Sequence, residues 1–146
     1  MRAVIRRNKQ LVCDDIEDLK PDQGQVLVRT LACGICGSDL HALHHMEHMI
    51  DLTRRAGGLS NDFDPTADTV FGHEFCAEVL EHGPGTTGAL KAGARVVSIP
   101  ATLTPAGGVE MLGFSNRLPG GFAERMILSE ALLLPVPNGL PTEKAA

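Results

Sequence analysis

Gly and Pro recur so often along these 146 residues, 16 and 9 times, that most of the chain can hold only short extended segments between turns. Met1–Val12 begins strand-like, and Gln25–Leu31 alternates apolar and polar residues as a half-buried strand does. Pro21-Asp22-Gln23-Gly24 supplies the reversal between them. Phe75–Glu81 alternates again, and Arg95–Ile99 and Phe122–Leu128 read as further strands. Helical spacing is confined to the middle. Ser38-Asp39 caps a predicted helix running through Leu40, Leu43, Met46 and Glu47 toward Thr53. Gly57-Gly58 ends it, and Asn61–Asp68 reads as a polar loop. Pro100–Pro119 has no clear period and is expected as a long surface excursion. Strands do not alternate with long helices, so a parallel doubly wound sheet is not supported. The expected fold is mainly β, a barrel-like domain with short helices that some schemes would class as α+β.

Size and charge narrow the functions open to such a domain. The chain is long enough for a hydrophobic core without covalent staples. A net charge of −5, with neither Trp nor Tyr, argues against nucleic acid, which needs cationic grooves and stacking rings. No apolar run reaches membrane-spanning length. Lys9, Gln10, Asp14 and Asp15 interrupt what would be the apolar stretch of a leader after Arg2, Arg6 and Arg7. A cytoplasmic protein is expected. Its four cysteines (Cys13, Cys33, Cys36 and Cys76) then read as thiols or metal ligands rather than disulfides.

Chemistry concentrates in Cys33-Gly34-Ile35-Cys36-Gly37-Ser38-Asp39 and Gly72-His73-Glu74. No second CxxC exists to complete a four-cysteine structural zinc site. The pair Cys33 and Cys36 can be two half-buried thiols at a strand end. It can also be a thiol–disulfide oxidoreductase centre, in which a helix N-terminus lowers the pKa of the first thiol. In a third reading Cys36 alone joins His73 on a catalytic zinc that keeps one position open for water or substrate. Asp39 then holds the imidazole in one tautomer, while Ser38 and His41 pass a proton toward solvent.

In this third reading the resemblance becomes specific. Cys33–His41 is similar to the first zinc motif of the zinc-dependent medium-chain alcohol dehydrogenases, and Gly72-His73-Glu74-Phe75 to their second. Gly93-Ala94-Arg95-Val96-Val97 and Gly120-Gly121-Phe122-Ala123-Glu124 resemble the strand and turn that follow, in the same order. The resemblance implies a GroES-like catalytic domain over residues 1–140. It implies Cys36 and His73 as zinc ligands, Glu74 as an exchangeable one, Ser38 and His41 as a proton relay, and Asp39 as support for His73. The implied function is a zinc-dependent, NAD(P)-dependent alcohol or polyol dehydrogenase acting on a small alcohol, polyol or aldehyde, and assembling as a homo-oligomer. NAD or NADP would sit on a Rossmann domain absent from this chain, with residues 141–146 the start of the connection to it. Many relatives bind a structural zinc through four closely spaced cysteines; Arg95–Phe122 contains none, so no structural zinc is expected. The interval from His41 to Gly72 is longer than in the family. A thiol–disulfide oxidoreductase and a non-catalytic GroES-like binding module stand as the alternatives.

Several features read as decoys. Gly83-Pro84-Gly85-Thr86-Thr87-Gly88 spells a dinucleotide fingerprint, with Glu110 further on, but Ala89–Ala92 leave no room for the required helix. His41, His44, His45 and His48 read as a solvated histidine-rich face, apart from the role given to His41. Cys13 and Cys76 are expected to be buried as small apolar residues. Pro141–Ala146 reads as the first turn of a helix, with Pro and Glu at its start and Ala within it. A helix so short cannot stand alone, so the chain is expected to be cut inside a longer protein.

Overall fold

The structure, a computed structural model, describes residues 1–55, 63–104 and 107–146. Its strands are all antiparallel. The first motif of the chain is a hairpin, β1 (Arg2–Arg7) with β2 (Gln10–Asp15). Asn8 and Lys9 form the two-residue turn between them, both at positive φ (51° and 61°). That is the backbone a tight hairpin needs. The turn carries no Gly or Pro, which is why the segment reads in sequence as one continuous strand. β3 (Gln25–Cys33) follows, then the long helix α1 (Gly37–Arg55), β4 (Thr69–Val70) and β5 (Phe75–His82). β6 (Arg95–Val97), β7 (Ala101–Leu103), β8 (Val109–Met111), β9 (Arg125–Ser129) and β10 (Leu134–Pro135) complete the strands, and α2 (Thr142–Ala145) ends the chain.

The main sheet has the order β10-β6-β5-β3-β9, and a smaller one the order β2-β1-β4. Val26, Val28, Phe75, Ala77, Val79, Val96, Met126 and Leu128 from the main sheet form the central core. The expected half-buried alternation holds only in part: Gln25 to Val28 are all buried, because β3 is central, with β5 on one side and β9 on the other. The expected surface excursion of Pro100–Pro119 instead contains a short hairpin, β7 with β8, that is partly packed on the main sheet. Thr102 donates its hydroxyl to Ile127 O at 3.1 Å, Ser129 Oγ accepts from Leu103 N at 2.7 Å, and Leu112 joins the central core. Three-residue strands are too short to show a period, so the sequence hides them.

α1 packs through Ala42, Met46 and Ile50, spaced four apart, against Phe63 and Phe71. The helix is broken at His45, whose φ and ψ are −124° and 32°. The buried Arg6 of β1 reaches this point, its Nε donating to Leu43 O at 3.3 Å and its Nη1 to Pro65 O at 2.8 Å. A polar group competing for a helix carbonyl is a recognised cause of such a break. The expected helix stop at Gly57-Gly58 and the start of the loop at Asn61 lie outside the described residues. No helix among the described residues is long and apolar enough to cross a membrane.

Candidate metal centre

β3 delivers Cys33 at its end, and the chain then turns through Gly34 into α1. Cys36 is the residue at the helix entrance: its carbonyl accepts from Asp39 N and Leu40 N at 3.1 and 3.4 Å. Asp39 closes the turn from the other side, one carboxylate oxygen accepting from Cys36 N at 2.9 Å. This is half of a capping box, and it orients the backbone of Cys36. The other oxygen of Asp39 lies 3.3 Å from His73 Nδ1, although the two are not aligned as a hydrogen bond and both atoms are buried without such a partner. One buried carboxylate therefore touches both halves of the site.

His73 is placed by a second device. Gly72 lies at φ +97°, and a Cβ there would meet Phe122 N at 2.7 Å and Cys33 Sγ at 2.9 Å. The segment before His73 is clamped to Gly120–Phe122 by three backbone bonds: Gly120 N to Val70 O (2.9 Å), Gly121 N to Gly72 O (2.8 Å) and Phe122 N to Phe71 O (3.0 Å). A Cβ on Gly120 would come within 2.3 Å of Gly72 O, so the close approach requires glycine on both sides. The two glycine motifs, far apart in sequence, are one piece of structure. On the other flank Gly34 N donates to Glu74 O at 2.7 Å, which joins the Cys36 turn to the His73 turn.

The result is convergence. Ligand atoms of Cys36, His73 and Glu74 lie within 4.8 Å of one another, with Cys36 and His73 half-buried and Glu74 exposed. A thiolate, an imidazole and a carboxylate form a donor set suited to a divalent ion of borderline softness, and zinc takes all three. Ser38 Oγ stands 3.2 Å from His73 Nε2, and the ring of Phe114 lies 5.7 Å from the His73 ring. His41 stands apart from this group, exposed on α1 with its ring 5.0 Å from that of His45.

Cys33 and Cys36 are both free thiols. Burial pushes the Cys33 thiol up to about 11, helped by the negative charges of Asp39 and Glu74. A redox centre needs the opposite, a first thiol held low. Cys76 is buried as expected, but Cys13 is exposed; β2 lies at the edge of its sheet, and Arg2 Nη2 donates to Cys13 Sγ at 3.1 Å. The Gly83–Gly88 loop is occupied by the protein itself: Glu130 accepts from Thr87 N at 2.6 Å and Gly88 N at 2.8 Å.

Residues 22–138 match the family described as the alcohol dehydrogenase GroES-like domain. The chain belongs to this family. Within it, the chain is 36% identical over 145 residues to (R,R)-butanediol dehydrogenase of Bacillus subtilis, covering 94% of this chain and 40% of that protein. It is 32% identical over 161 residues to an alcohol dehydrogenase of Geobacillus stearothermophilus, covering 99% and 42%. The crystal structure of 2R,3R-butanediol dehydrogenase from Bacillus subtilis superimposes with a TM-score of 0.72 at 29% identity, covering 99% of this chain and 42% of that one. The chain thus spans about two fifths of the length of the relatives it matches. The mainly β, GroES-like fold expected from the sequence is the fold of this family. What the sequence did not disclose is the contact between the Gly72 and Gly120 motifs, or Phe114, whose only sequence signal is its place in a segment without periodicity.

Proposed function

We propose that this chain is the catalytic domain of a zinc-dependent, NAD(P)-dependent alcohol or polyol dehydrogenase, with Cys36, His73 and Glu74 holding the metal. The observation that carries the reading is the meeting of these three donors around a buried carboxylate, Asp39, that contacts both Cys36 and His73. Zinc bound here supplies a Lewis acid that makes a substrate hydroxyl acidic near neutral pH. The chain's own residues do the rest. Asp39, whose second oxygen lies 3.3 Å from His73 Nδ1, would accept from that nitrogen once the ring aligns, fixing the tautomer that leaves Nε2 for the metal. Ser38, beside that nitrogen, takes the proton released from the substrate hydroxyl, and the exposed His41 returns it to solvent. The half-buried setting of Cys36 and His73 limits water at the ligands while Glu74, at the exposed edge, can approach or withdraw.

NAD or NADP would be held by a nicotinamide-binding domain outside this chain, which spans about two fifths of its relatives' length; the Gly83–Gly88 turn, closed by Glu130, is not a nucleotide loop. The substrate is a small alcohol, polyol or aldehyde, as the names of the butanediol and alcohol dehydrogenase relatives suggest. The full-length protein is expected to be cytoplasmic and homo-oligomeric.

Metal analysis of the full-length protein expressed with zinc tests the reading. The expected result is about one zinc per chain, lost in Cys36→Ser and kept in Cys33→Ser. Zinc retained by Cys36→Ser, or activity that depends on Cys33 with no metal present, would overturn it.

A further inference from the structure

The helix that presents Cys36 and Asp39 carries a second concentration of metal-ligating side chains that the centre above does not use. His41, His44, His45 and His48 lie side by side along α1, across the break at His45, as the separations of their rings show. All four are exposed. The opposite side, through Ala42, Met46 and Ile50, is buried, so packing fixes which face the imidazoles present. The rings of His41 and His45 are 5.0 Å apart, that of His48 is 6.4 Å from His41, and His44 is 6.5 Å from His45 on the flank.

We propose that this face is a second divalent-metal site, with His41, His45 and His48 as ligands, that takes added nitrogen-seeking ions such as Ni2+ and Cu2+. Imidazoles one turn apart on a helix, as His41 and His45 are, can be brought onto a common ion by side-chain rotation. His48 completes the set by rotating an exposed side chain that packing does not hold. The neighbouring carboxylates already face cations, Asp51 with Arg55 at 2.8 Å and Glu47 with Lys9 at 3.8 Å, so the face offers imidazole nitrogen rather than oxygen. That sets its chemistry apart from the mixed sulfur, nitrogen and oxygen donors of Cys36, His73 and Glu74. Resting on the relay proposed above, an ion held here engages the nitrogen of His41 that would pass the proton. Filling the face therefore slows turnover while leaving the first metal in place.

The test is titration of the zinc-loaded, full-length protein with Ni2+, followed by calorimetry and turnover. Cu2+ loading followed by electron paramagnetic resonance identifies the donor atoms. Wild type is expected to bind about one further equivalent with nitrogen-only hyperfine structure, turnover falling in step with occupancy. His45→Ala and His48→Ala are each expected to weaken this binding roughly tenfold or more, leaving zinc content and basal turnover unchanged. His45→Gln, which keeps a side chain of helical preference, separates ligand loss from helix loss and should weaken binding equally. Cys36→Ser is expected to lose the first zinc and keep the Ni2+ site, so failure of the catalytic-centre reading is told apart from failure of this one. A doubly substituted His45/His48 variant that binds Ni2+ as wild type does, or sulfur ligation of the added ion, overturns the proposal.

Discussion

Two loops of this molecule look equally functional on paper and differ sharply in space. The Gly83–Gly88 turn has the glycine spacing of a phosphate-binding loop, yet its free N–H groups already hold the carboxylate of Glu130, and Thr87 Oγ1 adds a third contact at 3.1 Å. The Cys36–Asp39 and His73–Glu74 turns are also tied by their backbone, through Cys36 N, Cys36 O and Glu74 O. The ligand atoms of Cys36, His73 and Glu74, however, converge on one point, with Ser38 Oγ 3.2 Å from His73 Nε2 beside them. A loop whose polar capacity is consumed internally is a strut. One that over-determines its backbone and leaves side-chain capacity unspent can take a ligand.

The largest effect that would break this contrast is at the second loop. His73→Ala removes an imidazole donor and is expected to lower zinc affinity more than roughly 100-fold, read by competition with a chromogenic chelator. Turnover of the full-length enzyme should vanish with the metal. Unchanged affinity would reduce the centre to a coincidence of side chains.

Next is the clamp beneath His73. Gly72→Ala places a Cβ at positive φ against Phe122 N and Cys33 Sγ and is expected to cost about 3 kcal/mol or more of stability, measured by urea unfolding. A third substitution separates positioning from ligation. Asp39→Asn keeps an acceptor for Cys36 N but removes the charge beside His73, so zinc affinity should fall roughly 10- to 100-fold while the helix remains, by circular dichroism.

The smallest effect belongs to the strut. Glu130→Gln should cost about 1 kcal/mol and leave zinc untouched. The N–H donors of Thr87 and Gly88 hold the Glu130 carboxyl below its ordinary value of 4.5, which His82 nearby reinforces. Its folded pKa is thus lower than its unfolded one, so its stabilisation is complete above that ordinary value and is lost as pH falls through the depressed one. Acid unfolding curves of wild type should slope below about pH 4.5, and those of Glu130→Gln should be flatter there.

Residue types and periods made the frame legible. β3 and β5 are visible because each is long enough to show its pattern, and α1 because Leu40, Leu43 and Met46 recur at helical spacing, although the face that packs is Ala42, Met46 and Ile50 and Leu40 is exposed. The donors Cys36 and His73 stand out because soft and nitrogen ligands are scarce and sit in short motifs. Three kinds of feature were not legible. The β1–β2 turn uses Asn8 and Lys9 in place of glycine, and the β7–β8 strands are shorter than any period. The break at His45 lies where Arg6, a residue of β1 far off in sequence, donates to Leu43 O, and no local pattern announces that contact. The pairing of Gly72 with Gly120 was likewise hidden, since a long-range backbone contact leaves no trace in composition.

That pairing has a practical consequence for engineering. Segments 70–73 and 120–123 behave as a single hinge pin, so grafting a foreign loop that replaces one of them would set its neighbour loose. Chimeras with other dehydrogenases should place their junctions outside both stretches and transplant them together with the core strands β5 and β6 that lie between them.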